Sequence, residues 1–363
     1  MNGHIQSADE LYMRYALALA EQARGFTSPN PLVGAVIVKD QKIIGEGHHQ
    51  YFGGPHAEIN ALHNAQGDVR GATMYVTLEP CAFTNKKTPP CAPALIAAGL
   101  KRVVIGSVDP NPQNTNKGIA ELTKAGIEVT VGVLAEEVKR QNEVYFKYIK
   151  EKLPLVTLKL ALTLDGKIAT KKGISQWITS KTSRDYVQLL RRAADAVLVG
   201  IRTVLKDNPR LTCRIAPKKK LWRVILDSEL KIPPNARVFN KKDPALIFVN
   251  KKKLKRIFKK LPAEIVPVSA HGSELDWPEI LSELSKRNIA SVLIEGGAQV
   301  ASSSLKNKIV DKVYFFYATK ILGPGLGFSD YLKSSNLLSA IVINEYSVVR
   351  CDTDFIIQGT VDK

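Results

Sequence analysis

The sequence predicts an α/β protein of two consecutive domains, covering residues 1–150 and 151–363. Strand-like runs that alternate with helix-like segments along the whole chain indicate this class. The length of 363 residues indicates two domains, because one domain commonly takes about 100–200 residues. The composition has 45% hydrophobic and 24% charged residues, as in ordinary globular proteins, and it excludes a mainly disordered, collagen-like or coiled-coil chain.

The first domain contains strand-like and helix-like segments in alternation. It opens with a helix from Ser7 to Arg24, in which Ser7 and Glu10 have the spacing of a capping box. It closes with a long amphipathic helix from Ala135 to Lys152, which ends before Pro154. Between these helices, the pattern predicts strands over 32–38, 42–47, 73–80, 102–108 and 128–133, and helices that begin near His56 and Cys91 and cover 118–125.

The second domain begins after a boundary that we place at 148–154. Neither a long linker nor a repeat of fixed period interrupts the sequence there. Strand-like runs then cover 155–162, 196–200, 223–227, 246–249 and 292–297, and the segment 341–361 predicts hairpin strands.

The sequence also bears on the cellular compartment. No apolar run approaches the roughly 20 residues of a membrane helix, and the N-terminus lacks the apolar stretch of a signal peptide. We therefore expect a cytoplasmic protein without a membrane partner. The 4 cysteines are too few for a disulfide framework in a chain of this length. Cys81 and Cys91 are clustered, whereas Cys213 and Cys351 have no ligand context, and we interpret them as structural.

The chain is strongly basic, with 52 Lys and Arg against 34 Asp and Glu and a net charge of +18. This charge suits a polyanion such as nucleic acid, or a small phosphorylated substrate. Lysine runs lie at 218–220, 241–242, 251–253 and 259–260, without the interleaved aromatic residues of a single-strand binding surface. We interpret them as solvated surface.

One cluster of residue types in the first domain indicates a catalytic metal. His56, Cys81 and Cys91 supply an imidazole and two thiolates, and Glu58 supplies a carboxylate that is not itself a ligand. Three such ligands favour zinc with an open fourth position. Zinc lowers the pKa of a bound water to about 7, and Glu58 can transfer the proton. The alternative, two buried apolar cysteines beside a histidine that caps a helix, does not explain their joint order. His4, His63 and His271 lack such neighbours and are read as surface or packing residues.

The second domain lacks a G-x-G-x-x-G fingerprint after its first strand. The stretch LIEGGAQVASSSL at 293–305 offers another way to hold a dinucleotide, because two glycines end a strand and a helix follows. A tight turn with no ligand is the alternative reading of Gly296 and Gly297.

These motifs resemble the bifunctional deaminase-reductases of riboflavin biosynthesis. In the first domain the similar segments are SPNPLVGAVIV (28–38), GEGHHQYFGGPHAEINAL (45–62), TLEPC (77–81), TPPC (88–91), AAGLKRVVIGSVDPNP (97–112) and GIEVTVGVL (126–134). The resemblance implies a three-layer, cytidine-deaminase-like zinc domain. It implies His56, Cys81 and Cys91 as zinc ligands, Glu58 as the proton shuttle, and Asn30 and His49 as substrate-pocket residues.

The loop between the two cysteines departs from the family pattern EPC-x-H-x-G-x-TPPC. Here it reads EPCAFTNKKTPPC, with Phe83 in place of the histidine, no glycine and one extra residue. Phe83 removes a polar group from the expected rim of the substrate pocket, while Lys86 and Lys87 add charge that could contact a phosphate. Deaminase rate and substrate choice are therefore the properties that this loop puts in question.

In the second domain the similar segments are KLALTLDGKIAT (159–170), SQWITS (175–180), ADAVLVGIRTVLKDNPRLTCR (194–214), LIEGGAQ (293–299) and VDKVYFFYATKILG (310–323). The resemblance implies a dihydrofolate-reductase-like fold that binds NADPH. The implied substrate contacts are Lys159, Ser175, Arg191, Leu211, Arg214 and Glu295. The implied cofactor contacts are Ala161, Trp177, Thr203, Asp207, Ser228, Gly297, Ala298, Gln299, Val300, Ala301, Ser302 and Ser303. Lys159 and Asp207 are also expected to shape the reaction centre, and Arg191 and Arg214 suit a substrate phosphate.

The resemblance implies one enzyme with two reactions. A zinc-dependent deamination of a diaminohydroxypyrimidine ribosyl phosphate precedes an NADPH-dependent reduction of its ribosyl group, and the enzyme is expected to be a homodimer or homotetramer. Three alternatives remain at this level: a reductase with altered or lost deaminase activity, a nucleic-acid-editing zinc deaminase, and a binding protein with a structural zinc. Because nothing supplies a stacking platform for extruded bases, we expect no nucleic-acid partner.

Overall fold

The computed structural model describes residues 7–84, 88–216, 219–239, 242–253, 261–332 and 336–362. The chain forms two compact units, Met1–Lys152 and Leu153–Lys363. Each unit has its own sheet and its own hydrophobic clusters. Within the described parts of the chain, we find no helix with the length and apolar character that spanning a bilayer demands.

The described residues of the first unit form a five-stranded sheet with the order β2-β1-β3-β4-β5. β1 is antiparallel to β2 and β3, whereas β3, β4 and β5 run parallel. The strands are β1 (Gly34–Lys39), β2 (Lys42–His48), β3 (Thr73–Leu78), β4 (Arg102–Ser107) and β5 (Glu128–Val131). The helices are α1 (Ala8–Glu21), α2 (Ala57–His63), α3 (Cys91–Ala97), α4 (Lys117–Lys124), α5 (Ala135–Gln141) and α6 (Glu143–Glu151).

Helices cover both faces of this sheet. Val36 and Val38 of β1 face Met13 and Ala16 of α1 in one cluster, while alternate strand residues such as Ile37 face α2, α3, α4 and α6 in another. This alternation follows from the two-residue period of a strand. α1 lies so close to β1 that a Cβ at Gly34 would be 1.9 Å from the carbonyl oxygen of Ala16. The result is the three-layer arrangement expected for this half.

The single long helix predicted over Ala135–Lys152 is wrong, because the structure has two helices joined at Asn142. The Asn142 side chain accepts a hydrogen bond from the Leu32 N–H at 2.7 Å and donates one to the Leu32 carbonyl at 2.9 Å. Its backbone, with φ −105° and ψ 19°, departs from helical values. Helical periodicity continues across the break, so the sequence pattern alone does not show it.

In the second unit, the described residues form a nine-stranded sheet with the order β11-β10-β9-β8-β14-β6-β15-β18-β17. Neighbouring strands from β11 to β15 run parallel, and the last two pairs are antiparallel. Its strands are β6 (Leu155–Thr163), β8 (Ala196–Gly200), β9 (Trp222–Leu226), β10 (Ala245–Asn250), β11 (Glu264–Val268), β14 (Ser291–Ile294), β15 (Lys312–Ala318), β17 (Ile343–Cys351) and β18 (Asp354–Val361). Two small sheets pair β12 (Ala270–His271) with β13 (Glu274–Leu275), and β7 (Lys167–Thr170) with β16 (Gly325–Gly327).

Helices also flank both faces of the large sheet. The helices are α7 (Lys181–Ala193), α8 (Ile201–Asp207), α9 (Trp277–Lys286) and α10 (Ala298–Lys306). Trp277 and Ile280 of α9 pack with Leu158 and Ile294 on one face, and Val204 of α8 packs with alternate strand residues on the other. The predicted hairpin within 341–361 is present as the antiparallel pair β17 and β18.

The lysine runs are solvated at most of the positions that the structure describes, namely Lys220, Lys242 and Lys251–Lys253. Lys219 differs, because its side chain is only 7% exposed and its Nζ lies 3.8 Å from Asp195 Oδ1. For this residue the prediction of a solvated surface is wrong. Residues 218, 241, 259 and 260 of these runs lie outside the described residues.

Candidate active sites

The three potential metal ligands of the first unit converge from three elements. His56 is the N-cap of α2, Cys91 begins α3, and Cys81 lies after the end of β3. His56 Nδ1 lies 3.5 Å from Cys81 Sγ and 3.3 Å from Cys91 Sγ, and the ligand atoms all lie within 4.8 Å of one another. Tetrahedral zinc, with its usual Zn–N and Zn–S distances, places such atoms about 3.6 Å apart. The donor set and its spacing fit zinc.

Backbone hydrogen bonds hold Cys81 and Cys91 close together without a contribution from a metal. The Cys91 N–H donates to the Cys81 carbonyl at 2.9 Å and lies 3.3 Å from the Cys81 sulfur, and Ala92 N–H donates to the same carbonyl at 3.1 Å. The start of α3 is therefore fixed against the end of the β3 segment. The sequence predicts both cysteines as ligands, but not these contacts.

Glu58 lies in the same cavity, in the first turn of α2. Its side chain is buried, and burial raises the pKa of its carboxyl. The cavity has a volume of about 360 Å³. His56, Cys81, Asn30, His49 and Phe83 also line it. A buried carboxyl beside three soft ligands can accept and return a proton.

Asn30 and His49 form a hydrogen-bond chain whose polarity follows from its far end. His49 Nδ1 lies 2.9 Å from the Pro55 carbonyl, which can only accept a hydrogen bond, so the Nδ1 nitrogen carries the proton. In a neutral ring, Nε2 then accepts from the Asn30 amide at 3.1 Å. Burial lowers the pKa of His49 and favours this neutral form.

Two buried carboxylates organise the loops around the cavity. Glu79 accepts hydrogen bonds from the backbone N–H groups of Asp109, Asn116 and Gly118, each at 3.1 Å. Asp109 accepts from the Tyr145 hydroxyl at 2.9 Å and from the Asn114 amide at 3.1 Å. Sequence reasoning missed these roles. The only available signal was that Glu79 directly precedes the Pro-Cys pair.

The atypical loop reaches the cavity through residues on both sides of its centre. Phe83 and Thr88 line the cavity, and the Thr88 hydroxyl lies 3.1 Å from His56 Nε2. Phe83 therefore occupies the rim where the resemblance expects a histidine. Lys86 and Lys87, the expected phosphate contacts, lie outside the described residues.

The second unit has a larger cavity, of about 830 Å³, at one edge of its sheet. It lies where the parallel strands β8, β9 and β14 end and their following segments begin, the usual position of ligands in open α/β sheets. Thirteen of the predicted residues line it: Lys159, Ala161, Ser175, Trp177, Thr203, Asp207, Ser228, Glu295, Gly297, Ala298, Gln299, Val300 and Ser303.

Gly296 and Gly297 differ in the space around them. A Cβ at Gly296 would lie 2.6 Å from the Cβ of Val300, so the turn into α10 requires glycine there. A Cβ at Gly297 would meet only Thr203 Oγ1, at 3.9 Å, so the space above this backbone is open. Gly297 is the N-cap of α10, and the open space beside its half-buried backbone fits the approach of a phosphate to a helix N-terminus.

Arg191 and Glu295 form a closely bonded ion pair beside this cavity. Arg191 Nε and Nη2 donate to the two Glu295 carboxylate oxygens at 2.6 and 3.0 Å, and Nη1 donates to the Thr212 carbonyl at 3.0 Å. Burial opposes ionisation of Glu295, but Arg191 more than offsets it, so the pKa of this carboxyl lies below its usual value. Burial lowers the pKa of the neighbouring Lys159 amine.

The other predicted residues of the second unit lie away from the lining of this cavity. Leu211 is buried in a hydrophobic cluster, and Arg214 is exposed. Ala301 and Ser302 are buried on α10, where Ser302 Oγ donates to the Phe328 carbonyl at 2.7 Å. Because successive residues of a helix point in different directions, residues 297–303 fall into two groups, one that lines the cavity and one that is buried in the core.

Comparison with known families gives two matches. The family described as "RibD C-terminal domain" matches residues 154–353. The family described as "Cytidine and deoxycytidylate deaminase zinc-binding region" matches residues 6–107. Together they cover the segments that hold both sites.

Several full-length relatives are similar to this chain. The riboflavin biosynthesis protein RibD of Aquifex aeolicus is 44% identical over 97% of this chain and 98% of its own. The protein of that name from Escherichia coli is 39% identical over 87% of this chain and 89% of its own.

Solved structures agree with these relatives. The diaminohydroxyphosphoribosylaminopyrimidine deaminase/5-amino-6-(5-phosphoribosylamino)uracil reductase of Thermotoga maritima has 42% identity and a TM-score of 0.88, over 99% of this chain and 100% of its own. Acinetobacter baumannii RibD, form 1, has 34% identity and a TM-score of 0.88, over 98% of this chain and 99% of its own.

Proposed function

This chain belongs to the RibD family of bifunctional riboflavin-biosynthesis enzymes, which joins a zinc-dependent deaminase to an NADPH-dependent reductase, and on this premise we propose which residues carry each reaction. The family assignment, the two-part α/β fold, both activities and both cofactors predicted from the sequence are thereby confirmed. A nucleic-acid-editing deaminase would leave the second unit unexplained.

The first reaction is proposed to be hydrolytic deamination of a diaminohydroxypyrimidine ribosyl phosphate. His56, Cys81 and Cys91 would hold the zinc, which would supply an activated water at neutral pH for attack on the amino-bearing ring carbon. Glu58 accepts the proton of that water and returns it to the departing ammonia. The ring carbon gains the oxygen of water and loses its amino group as ammonia.

Asn30 and His49 are proposed to orient the pyrimidine. Because the Asn30 amide donates to His49, its carbonyl oxygen remains as the acceptor available to the cavity. Both His49 ring nitrogens are engaged by Pro55 and Asn30. His49 therefore acts through Asn30, and the substrate meets the carboxamide oxygen.

The second reaction is proposed to reduce the ribosyl group to ribityl. NADPH, when bound, supplies hydride to the ribosyl C1′ carbon. Gly297 and the α10 N-terminus hold its phosphates, and Thr203, Asp207, Ser228 and Trp177 provide further cofactor contacts. Lys159, Ser175 and Glu295 line the same cavity and are proposed to contact the substrate.

Arg191 is proposed to act with Glu295 rather than on a phosphate alone, since three of its N–H groups already bind Glu295 and Thr212. Arg214, which is exposed, is the better placed arginine for a substrate phosphate. Leu211, Ala301 and Ser302 support the pocket from the core.

One observation carries the deaminase assignment: His56, Cys81 and Cys91 form a cluster of metal-ligand atoms, and two of these residues line one cavity with Glu58. A mass-spectrometric product assay on the diaminopyrimidinone ribosyl phosphate tests both reactions. We expect deaminated product without NADPH and deaminated, reduced product with it. Substrate returned unchanged, while pre-deaminated substrate is still reduced, would show that the first unit has changed its substrate or lost its activity.

Glu58→Ala separates catalysis from a structural zinc. The proposed role predicts loss of deamination with zinc content unchanged, measured by metal analysis of the purified protein. Unchanged deamination would support a purely structural metal. Glu46→Ala on β2, whose carboxylate accepts from the Tyr15 hydroxyl, is a control carboxylate outside the cavity lining.

A homo-oligomer, dimer or tetramer, is proposed for the assembly. β17 is the last strand of the described sheet, and the side chains of Tyr346, Val348 and Val349 on it are 67%, 58% and 47% exposed. An exposed apolar edge strand favours association. Light scattering of the purified protein measures the mass, and a monomer at all concentrations would refute this proposal.

A further inference from the structure

The side of His56 that faces away from the thiols has a polar partner in the atypical loop. His56 Nδ1 is the ring nitrogen 3.5 and 3.3 Å from the two cysteine sulfurs, and His56 Nε2 lies 3.1 Å from the Thr88 hydroxyl oxygen. Thr88 is three residues before Cys91 in the segment Thr-Pro-Pro-Cys. One short segment thus supplies a sulfur ligand and a contact to the imidazole ligand.

This geometry determines which nitrogen of the His56 ring carries the proton. Zinc binds a neutral imidazole through a nitrogen without a proton, and Nδ1 is the nitrogen that faces the cysteines. The proton of the neutral ring then lies on Nε2. Nε2–H can donate to Thr88 Oγ1, because a hydroxyl accepts as well as donates.

We propose that Thr88 is a positioning residue for the zinc site, which fixes the His56 tautomer and ring plane by accepting the Nε2–H hydrogen bond. This inference rests on the proposed zinc ligands and adds a contact that they do not define. The proposal gives the atypical loop a role at the zinc site. The loop departs from the family pattern between the two cysteines, but it retains Thr88, whose hydroxyl contacts the ligand His56.

The chain between Thr88 and Cys91 suits this role. Pro89 and Pro90 each fix their own φ near −65°, which limits the conformations that connect Thr88 to Cys91. Pro90 has φ −66° and ψ 145° as the N-cap of α3. On another side, the His49 ring contacts the His56 ring edge-on, with centroids 5.5 Å apart. The imidazole is therefore restrained by two neighbours besides the thiols.

The test compares Thr88→Val, which keeps the shape but removes the hydroxyl, with Thr88→Ser, which keeps the hydroxyl. Zinc affinity of the full-length protein is measured at neutral pH by competition with a chromogenic chelator. We expect zinc to bind about 10–100-fold more weakly to Thr88→Val, the usual effect of losing such an outer contact. Thr88→Ser keeps the hydroxyl, so we expect it to bind zinc with the affinity of the unaltered chain.

Two further variants make the outcome unambiguous. Thr123→Val is the matched control, since the Thr123 hydroxyl donates to the Ile119 carbonyl on the exposed face of α4 and its loss is expected to leave zinc affinity unchanged. His56→Ala tests the ligand itself. Unchanged zinc affinity in His56→Ala would overturn the proposed zinc site.

The remaining outcomes decide the role of Thr88. Weak zinc binding in His56→Ala together with unchanged affinity in Thr88→Val would overturn the role of Thr88 alone. Equal weakening in Thr88→Ser and Thr88→Val would also overturn it, because Thr88→Ser keeps the hydroxyl on which the proposal depends. The circular-dichroism spectrum of each variant, compared with that of the unaltered chain, reports whether the first unit is folded, since reduction of pre-deaminated substrate reports only on the second unit.

Discussion

At the scale of single residues, the loops around the deaminase cavity depend on polar side chains that bond to backbone. Glu79 is the clearest example, because four backbone N–H groups lie within 3.4 Å of its two oxygens. Buried N–H groups are costly when unpaired. One carboxylate therefore fixes two chain segments, one before α4 and one at its start.

Glu79→Gln is expected to destabilise the first unit by about 1–3 kcal/mol, because an amide NH₂ replaces one oxygen and leaves buried N–H donors without an acceptor. Denaturant unfolding of the first unit measures the change. Glu128→Gln is the control: its carboxylate is 62% exposed beside Arg102, and its loss should change stability by less than about 1 kcal/mol. Equal effects of the two substitutions would contradict this interpretation of Glu79.

The Arg191–Glu295 pair gives a second prediction, about pH. Burial opposes ionisation of Glu295 but Arg191 lowers its pKa, so the folded state releases this proton at a lower pH than the unfolded chain. The stabilisation is complete above the unfolded pKa of about 4.3 and is lost as the pH falls through the lower folded pKa. Glu295→Gln should destabilise the second unit by about 3 kcal/mol at pH 7.

Unfolding of the second unit, followed from pH 7 to pH 3, should show the difference between Glu295→Gln and the unaltered chain shrinking at the acid end. Glu264→Gln is a suitable control, because Glu264 pairs with Arg287 at a site where its carboxylate is 50% exposed. A difference that stays constant with pH would mean that the charge of Glu295 does not stabilise the fold.

At the scale of elements, the break between α5 and α6 positions the deaminase cavity. Asn142 at the break binds both backbone groups of Leu32, two residues after the pocket residue Asn30. Tyr145 and Tyr148, on α6, line the cavity directly. The break at Asn142 thus anchors the Asn30 loop next to the helix that lines the cavity.

Asn142→Ala is expected to cost about 1–3 kcal/mol for each Leu32 group left unpaired and to raise the KM of deamination more than it lowers kcat, since the Asn30 loop loses its anchor. Steady-state kinetics with the diaminopyrimidinone substrate measures this. Asn64→Ala, which removes an exposed hydrogen bond to the Glu46 carbonyl, should leave both parameters unchanged. A fall in kcat alone would place the effect at the reacting atoms instead.

How far the sequence predicts these elements depends on the range of the interactions involved. The apolar run that predicts β1 and the Ser7 cap of α1 are local signals, and both agree with the structure, where β1 is almost entirely buried and Ser7 Oγ accepts from Glu10 N–H at 3.2 Å. The break at Asn142 depends on a partner 110 positions away. No local pattern reports such a partner.

The same division holds for the sites. The clustering of His56, Cys81 and Cys91 is predictable, because few side-chain types bind zinc and the order of these three along the chain is distinctive. The partner of Arg191 is not predictable, because Glu295 is 104 positions away in the sequence. In an enzyme with a phosphorylated substrate, an arginine is first interpreted as a phosphate contact. A buried carboxylate that supports the cavity, such as Asp109, cannot be distinguished from a surface carboxylate by its local sequence.

At the scale of the whole molecule, each unit contains its own cavity and its own hydrophobic clusters. Removal of zinc by a chelator should therefore abolish deamination and lower the stability of the first unit, since a bound metal stabilises the folded state by mass action. Reduction of pre-deaminated substrate should be retained. Metal analysis and the two product assays on one sample check this, and parallel loss of both activities would show that the units depend on each other.

The division of the chain into two compact units also has a consequence for genetics. A mutant allele that lacks Glu58 and another that lacks Lys159 each encode one intact unit. Expressed together in a riboflavin auxotroph, the two alleles should restore growth, because the deaminated intermediate made by one product can be reduced by the other. Such intragenic complementation would make each half of the gene a separate target for selection.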